Sequence, residues 1–409
     1  MNLAEGPGSD RTFQPEFVTI FTPRGLTRRL SALRGIITHH TPKIGSVTMA
    51  NREERSPAPA PGSVGVSTVS HDLSTALSAD DAKRFSSLVD KVRSDVQTVI
   101  VGATDTLDLA LIALLAGGHM LVEDVPGTGK TTMMKALAVA LGCSFNRIQG
   151  TPDLLPTDVS GVSVYNPTNG NFTFRPGPIF GQVVLVDEIN RATPRTQAAF
   201  LEAMAEGQVS ADGETRQLPQ PFLVLATQNP IELEGTFPLP EAQLDRFLIR
   251  ASMGYPNRED EVEIVRRFAG ENLSGHRGTS VRSAHMDSET VLEMQAATRL
   301  VHVGDVVAVY ATDIVRATRR TPGVAFGASP RATVGLVRAA RARALLAGRS
   351  YVLPDDIQSL AGPVLAHRLV VDDESRLRQV SPSSIIQRVV TGIEAPVEPT
   401  APEKSGANR

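Results

Sequence analysis

The chain has a single cysteine, Cys143, in 409 residues. That rules out an internal disulfide and a cysteine-rich metal centre and fits a reduced compartment; the thiol itself reads as a small core residue. Long apolar runs are missing too. A bilayer span takes about 20 consecutive apolar residues, yet the stretch Leu107 to Leu115 is interrupted by Asp108 and followed by Gly117 and Gly118. No membrane insertion is expected, and the localisation is read as cytoplasmic. Nor is there an excess of charge of one sign. Lys and Arg number 41 against 44 Asp and Glu, a net charge of -3, so no global basic field holds the protein on phosphate backbones or anionic lipid. Arg28 and Arg29 are followed by Ser31, Arg34, His39 and His40 rather than by the apolar segment of a twin-arginine export signal. No internal repeat is visible.

What is present is a chain of 41% hydrophobic content, long enough for two domains plus tails. Residues 1–75 mix Pro, Gly, Ser and scattered charge, with SPAPAPG from Ser56 to Gly62, and are expected to form a disordered leader. Met49 is a candidate start of translation, since nothing ahead of it reads as a domain. From Asp80 the pattern changes: Phe85, Leu88, Val89, Val92, Val96 and Val99 recur at helical spacing. A second helix over Leu107 to Leu115 leads into a short buried strand, His119 to Val122. Further apolar runs at Val183 to Val186, Phe222 to Ala226 and Phe247 to Ala251 read as strands, with helices such as Thr196 to Ala205 between them. This alternation predicts an α/β core, a doubly wound parallel sheet over 76–255. After Pro256 the strand signals stop. Helical patterns at Glu259 to Phe268, Ser288 to Val301, Asp305 to Arg319, Ala332 to Leu346 and Pro354 to His367 predict a smaller helical domain over 256–393. The polar, Pro-containing stretch 394–409 reads as a disordered tail.

The chemistry begins at Asp124-Val125-Pro126-Gly127-Thr128-Gly129-Lys130-Thr131, a glycine-rich turn between a strand and a helix, which is the context a phosphate-binding loop needs. Asp124 stands where the strict pattern has its first glycine. Gly127 and Gly129 matter most, because backbone N–H groups must turn inward around phosphate oxygens where a Cβ would clash. Pro126, Gly127, Thr128, Gly129, Lys130, Thr131 and Thr132 are thus candidate nucleotide contacts. Lys130 brings a charge to the β and γ phosphates of ATP, and the Thr131 hydroxyl is set to ligate Mg2+ at the helix N-terminus. The second element is the strand Val183-Val184-Leu185-Val186, which ends in Asp187 and Glu188. A strand buried on both faces opens to ligand only at its C-terminal edge. Asp187 would hold the magnesium shell and Glu188 would orient or deprotonate the attacking water.

These motifs stand beside DEINRATPRTQAAFLEAM (Asp187 to Met204), LATQNPIELEG (Leu225 to Gly235), LPEAQLDRF (Leu239 to Phe247), TPDLLPTDVSG (Thr151 to Gly161) and FRPGPIF (Phe174 to Phe180). Together they resemble the MoxR family of AAA+ ATPases, from about Asp80 to Val390. The resemblance implies a P-loop core with an all-helical lid domain, and in it an acid at the position of Asp124 is familiar. It implies that Asn229, at a strand end, is the sensor bridging attacking water and γ-phosphate; an amide can both donate and accept there. It implies that Arg246, in LDRF, is an arginine finger reaching a neighbouring subunit's γ-phosphate, and that Arg331, in SPRA, is the second sensor on the lid. A guanidinium suits both, since it keeps its charge and grips phosphate oxygens in a fork. For Arg246 alone, the alternative is a surface ion pair with Glu241 or Asp245. Two insertions, Val162 to Phe174 with its turn at Asn169-Gly170-Asn171 and Val209 to Leu218 around Asp212-Gly213, read as hairpins. The resemblance makes them contact elements of a ring, placing the chain in the helix-2-insert group.

The expected function is an ATP-hydrolysing motor that remodels or activates protein complexes. Its expected partners are copies of itself in a ring, a hexamer, and a von Willebrand factor A domain protein. The alternatives are a nucleic-acid motor, a chelatase motor subunit and a nonhydrolysing nucleotide scaffold. Arg331, Arg338 and Arg341 fall near one helical face with Arg343 and Arg349 nearby, which reads either as a phosphate track or, more commonly, as a solvated face with one sensing member. The hairpins carry mixed polar residues rather than a basic ribbon, which disfavours a nucleic-acid partner.

Overall fold

The computed structural model describes residues 76–124, 127–168, 170–229, 235–270, 281 and 284–396. The leader expected over 1–75, the tail from 397 onward, Val125, Pro126 and Asn169 lie outside the described residues.

The first helix, α1 (Ala79–Val99), starts where Ser78 accepts the N–H of Asp81 at 3.0 Å, and Asp80 and Asp81 lie in its first turn. Both features satisfy or complement the unpaired N–H groups of a helix start. Its buried stripe is Ala82, Phe85, Val89, Val92 and Val96, the helical spacing expected from the sequence. Helix α2 (Thr104–Leu115) buries Ala110 through Leu115 without a break, which explains the unbroken apolar run of its second half: that half lies inside the core rather than on it.

We number the strands of the central sheet in chain order: β1 (Met120–Glu123), β2 (Phe145–Gln149), β3 (Val183–Asp187), β4 (Leu223–Gln228) and β5 (Ile249–Ala251). They pair in parallel in the order β2-β3-β4-β1-β5. Alternate residues feed opposite faces. Met120, Val122, Leu185 and Leu225 pack with α1, α2 and α3 (Lys130–Ala140), while Leu121, Val184, Val186, Val224 and Ala226 pack with Phe200, Leu201 and Met204 of the helix Pro194–Glu206. A sheet covered on both faces by helices is the doubly wound architecture the alternation predicts. Strand β2 was not expected. Its residues Phe-Asn-Arg-Ile-Gln bury only Ile148, because β2 is an edge that pairs with β3 alone, and an edge strand needs no apolar run. Both insertions are antiparallel hairpins, Gly161–Asn166 with Asn171–Pro176 and Gln208–Ala211 with Glu214–Gln217. Asp212 and Gly213 at the second tip have φ of 54° and 78°, the two left-handed residues of a tight hairpin turn. The hairpins also touch: the Ser163 N–H donates to Asp212 Oδ2 at 3.1 Å, and the Arg216 guanidinium lies 3.9 Å from the Phe174 ring centroid.

Beyond β5 the chain is mainly helical, with helices at Arg258–Gly270, Ser288–Leu300, Asp305–Thr318, Pro330–Leu346, Pro354–Leu365 and Pro382–Thr391. The strand signals do not stop completely after Pro256: Val324–Phe326 pairs antiparallel with Val370–Val371. These strands are too short for periodicity to reveal. The helical part does not have a core of its own, since one apolar cluster runs from Phe85 and Leu111 through Leu225 to Leu336, Ile357 and Ile386. Cys143 is buried, and burial pushes its thiol up to about 11, as fits a core residue. Among the described residues no helix is long and apolar enough to cross a membrane.

The contacts between the helical part and the sheet fall at one end. Arg338 Nη2 donates to Gly117 O at 3.0 Å and to Ala116 O, just ahead of β1; His367 Nε2 donates to Phe247 O at 3.0 Å, and Arg368 Nε meets Asp245 Oδ1 at 2.7 Å, just ahead of β5. These helices therefore lean on the N-terminal edge of the strands, whereas the helix Arg258–Gly270 reaches the end of α1, where Arg267 Nη1 donates to Thr98 O at 2.9 Å.

Candidate nucleotide site

A recess of about 360 Å³ opens at the opposite, C-terminal edge of the sheet. Gly127, Thr128, Gly129, Lys130, Thr131 and Thr132 supply one wall, and Asp187, Glu188, Thr227, Gln228 and Asn229 the other. Gly127 and Gly129 have φ of 88° and 86°, backbone that only glycine adopts without strain. Asp124 is no defect in the loop. Its Oδ2 accepts the Thr128 hydroxyl at 3.0 Å and lies 3.7 Å from Lys130 Nζ, which itself donates to Thr128 Oγ1 at 2.9 Å. The carboxylate thus braces the turn and holds the ammonium over it.

At the end of β3, Asp187 is buried. Its Oδ2 receives Arg147 Nε at 2.6 Å and its Oδ1 the Thr227 hydroxyl at 3.4 Å. Glu188 follows with φ 55° and ψ 51°, a left-handed backbone that strains a residue with a side chain. The surroundings enforce it: the Glu188 N–H donates to Thr227 Oγ1 at 2.9 Å, and a Cβ added at Gly150 would sit 2.2 Å from Glu188 O. Glu188 Oε2 accepts Gln149 Nε2 at 3.0 Å and Arg191 Nη1 at 3.3 Å. Arg147, Gln149 and Arg191 are thus part of the acid end of the site, and sequence reasoning did not single them out. Arg147 and Gln149 belong to the unrecognised edge strand β2, and only its register with β3 puts Gln149 opposite Asp187.

The donors suit magnesium. Thr131 and Asp187 both line the recess and offer a hydroxyl and a carboxylate oxygen, hard donors that a cation could share with substrate phosphates and water. Magnesium binds in this way, through one or two protein oxygens plus phosphates and water.

Neither Arg246 nor Arg331 lines this recess. Arg246 Nη1 donates to Leu201 O at 2.7 Å, and Arg331 Nη1 lies 3.9 Å from Asp245 Oδ2. The alternative ion pair of Arg246 with Glu241 or Asp245 is not made among the described residues; Asp245 is taken by Arg368 at 2.7 Å. Arg246 sits ahead of β5, whose first residue pairs with Met120 at the start of β1, and Arg331 meets the same end through Asp245. The full rise of the sheet separates them from the glycine loop, roughly 13 Å for a four-residue strand. The track of arginines also divides. Arg343 and Arg349 reach Asp356 at 3.5 and 2.7 Å, whereas Arg338 turns to the carbonyls ahead of β1.

Fold and recess together define a P-loop ATPase with a helical lid. Residues 119–249 match the model of the ATPase family associated with various cellular activities (AAA), and residues 316–389 match that of the AAA lid domain. The Bacillus subtilis protein YeaC is 46% identical over 314 residues, which span 77% of this chain and 97% of that one. Chaperone MoxR1 of Mycobacterium tuberculosis is 41% identical over 76% of this chain and 83% of its own. A solved structure of a candidate ATPase from Cytophaga hutchinsonii superposes with a TM-score of 0.72 at 36% identity, covering 78% of this chain and 98% of that one. The chain belongs to the MoxR family of AAA+ ATPases, and it binds and hydrolyses ATP.

Proposed function

We propose that the protein is a ring-forming, chaperone-like motor in which each ATP is hydrolysed between two subunits, the energy serving to remodel or activate protein complexes. The observation that carries this reading is the division of the catalytic groups between opposite ends of one sheet. Lys130 and the loop N–H groups grip the β and γ phosphates. Glu188 orients the attacking water and takes its proton, while the Asn229 amide bridges that water and the γ-phosphate. The water oxygen bonds to the γ-phosphorus as the bond to the β–γ bridging oxygen breaks, and the electron pair leaves with ADP. Thr131 and Asp187 would hold magnesium, which neutralises phosphate charge when bound. The positive charge that the transition state needs on its far side comes from Arg246, with Arg331 beside it, of the next subunit in a hexamer.

The name of the Mycobacterium relative supports the chaperone-like role, and the family resemblance supports a von Willebrand factor A domain protein as partner, encountered through the two hairpins. Pairing of Arg343 and Arg349 with Asp356 weighs against a phosphate track for nucleic acid. The test is complementation. Arg246→Ala and Lys130→Ala chains, each inactive alone, are mixed and their co-assembly is verified by size. Hydrolysis returns in mixed rings, because some interfaces then pair an intact loop with an intact finger. Mixed rings without activity, together with full-rate hydrolysis by dilute monomer, would refute the shared site.

A further inference from the structure

A second and larger recess, of about 640 Å³, lies at the N-terminal edge of the sheet, where the core meets the lid. Its core side includes Gly117, His119, Glu206 and Phe222; its lid side brings Arg299 from the helix Ser288–Leu300 and Arg338 and Arg341 from the helix Pro330–Leu346. Among the described residues none of these three arginines forms a salt bridge. Glu206, also on the wall, is exposed and makes none either. Arg341 Nε is buried and has no hydrogen-bond partner. His119 adds no charge, since its Nε2–H donates to Met204 O at 3.0 Å, its Nδ1 accepts the Val224 N–H at 3.1 Å, and burial lowers its pKa to about 4. Arg338 is lowered as well, by burial first and then by the like charges of Arg299 and Arg331.

Gathering guanidinium groups in a partly buried recess and leaving one N–H unpaired is unfavourable unless something anionic completes the arrangement. The arrangement itself specifies the ligand. Planar forks match phosphate oxygens, and several of them at one site match a group with more than one phosphate. The volume is that of a small-molecule site rather than of a single ion, and Leu115, Met204 and Phe222 give it an apolar wall. We propose that this recess is a second anion site that binds a diphosphate, free or as part of a nucleotide, and ties the lid to the core. The site is separate from the P-loop: it shares no residue with the nucleotide recess. Because its arginines come from the lid and its floor from the core, occupancy holds the two in one orientation.

The experiment is calorimetric titration of inorganic pyrophosphate, and separately of ADP, into four full-length chains: the natural protein, Lys130→Ala, Arg341→Gln and the double variant. Two binding events per chain are expected for the natural protein, one for each single variant and none for the double. In Arg341→Gln the lost event should weaken by about tenfold or more, the scale of a charge-assisted hydrogen bond. Arg299→Gln, on an exposed helix face, keeps the test independent of folding: it should weaken the same event and leave thermal unfolding unchanged. If Arg341→Gln and Arg299→Gln both retain the natural stoichiometry and affinity, the second site does not exist. If instead Lys130→Ala changes nothing while Arg341→Gln removes one event, the loop reading fails and the second site stands. Tighter binding of ADP than of pyrophosphate means the apolar wall receives the nucleoside; equal binding means the diphosphate alone is recognised, and either result supports the site.

Discussion

The two ends of the central sheet are built on opposite electrostatic plans. At the C-terminal end every charge has a near counterpart: Asp124 faces Lys130, Asp187 holds Arg147, and Glu188 holds Arg191. At the N-terminal end Arg246, Arg299, Arg338 and Arg341 stand without an acidic partner among the described residues, and only Arg331 and Arg368 reach Asp245. The first plan suits a site that binds a nucleotide and its cation by exchanging partners. The second suits surfaces that wait for phosphate from elsewhere, whether a neighbouring subunit's γ-phosphate or a separate ligand. On the proposed reading a single chain carries two halves of different sites, which would make its chemistry a property of assembly.

Removing Lys130 tests the first end most severely. Lys130→Ala should abolish nucleotide binding at the loop, because it takes the ammonium away from the phosphates and leaves the Asp124 carboxylate beside them; tight binding measured by calorimetry at this recess would overturn its assignment. Arg246→Ala should slow hydrolysis by about 10³ to 10⁵ while leaving nucleotide affinity per chain intact, the range for arginine fingers. A loss of binding rather than of rate would move Arg246 out of catalysis. Glu188→Gln should bind ATP and turn over about 10² to 10⁴ more slowly, as for loss of a general base; steady-state rates near the natural value would remove Glu188 from its role.

Acid should loosen the other end. Burial holds His119 at about 4 and His367 at about 3, both below the ordinary 6.5. As pH falls below 6.5 the unfolded chain takes up these protons before the folded one does. Stability is therefore complete above that pH and is lost progressively toward pH 4, at about 1.4 kcal/mol per unit for each histidine. A Tm that does not fall over this window, or a double His119→Gln, His367→Gln variant that falls as steeply, would contradict the assignment. The smallest effect is expected for Gln149→Ala, which removes one of the two donors to Glu188 Oε2 and should change basal turnover only a few-fold, about the value of one hydrogen bond; no change in rate means the contact is idle.

The glycine loop and the acid pair were legible in the sequence because their chemistry is local: spacing within a few residues dictates φ at Gly127 and Gly129 and the burial of Val183 to Val186. The predicted helices follow the same logic, and Phe85, Val89, Val92 and Val96 do form one buried stripe. What was not legible depends on pairing between distant segments. Arg147 and Gln149 matter because β2 lies in register beside β3, some 40 residues further along, and an edge strand half exposed to water leaves no periodic signature. The same holds for the basic recess: Arg299 and Arg341 come from different helices, and nothing along the chain tells that both face Gly117 and Phe222 across the lid junction. Sequence spacing had grouped Arg338 and Arg341 with Arg343 and Arg349, which helix packing turns toward Asp356 instead.

The left-handed backbone at Glu188 has a consequence for evolution and engineering. A carboxylate-bearing residue held at φ 55° costs the fold on the order of 1 kcal/mol or more, a penalty that glycine would not incur. Selection for heat resistance alone should therefore favour Glu188→Gly over the native residue, giving a chain that melts later and turns over poorly. With the role proposed for Glu188, position 188 is where durability and turnover would pull in opposite directions.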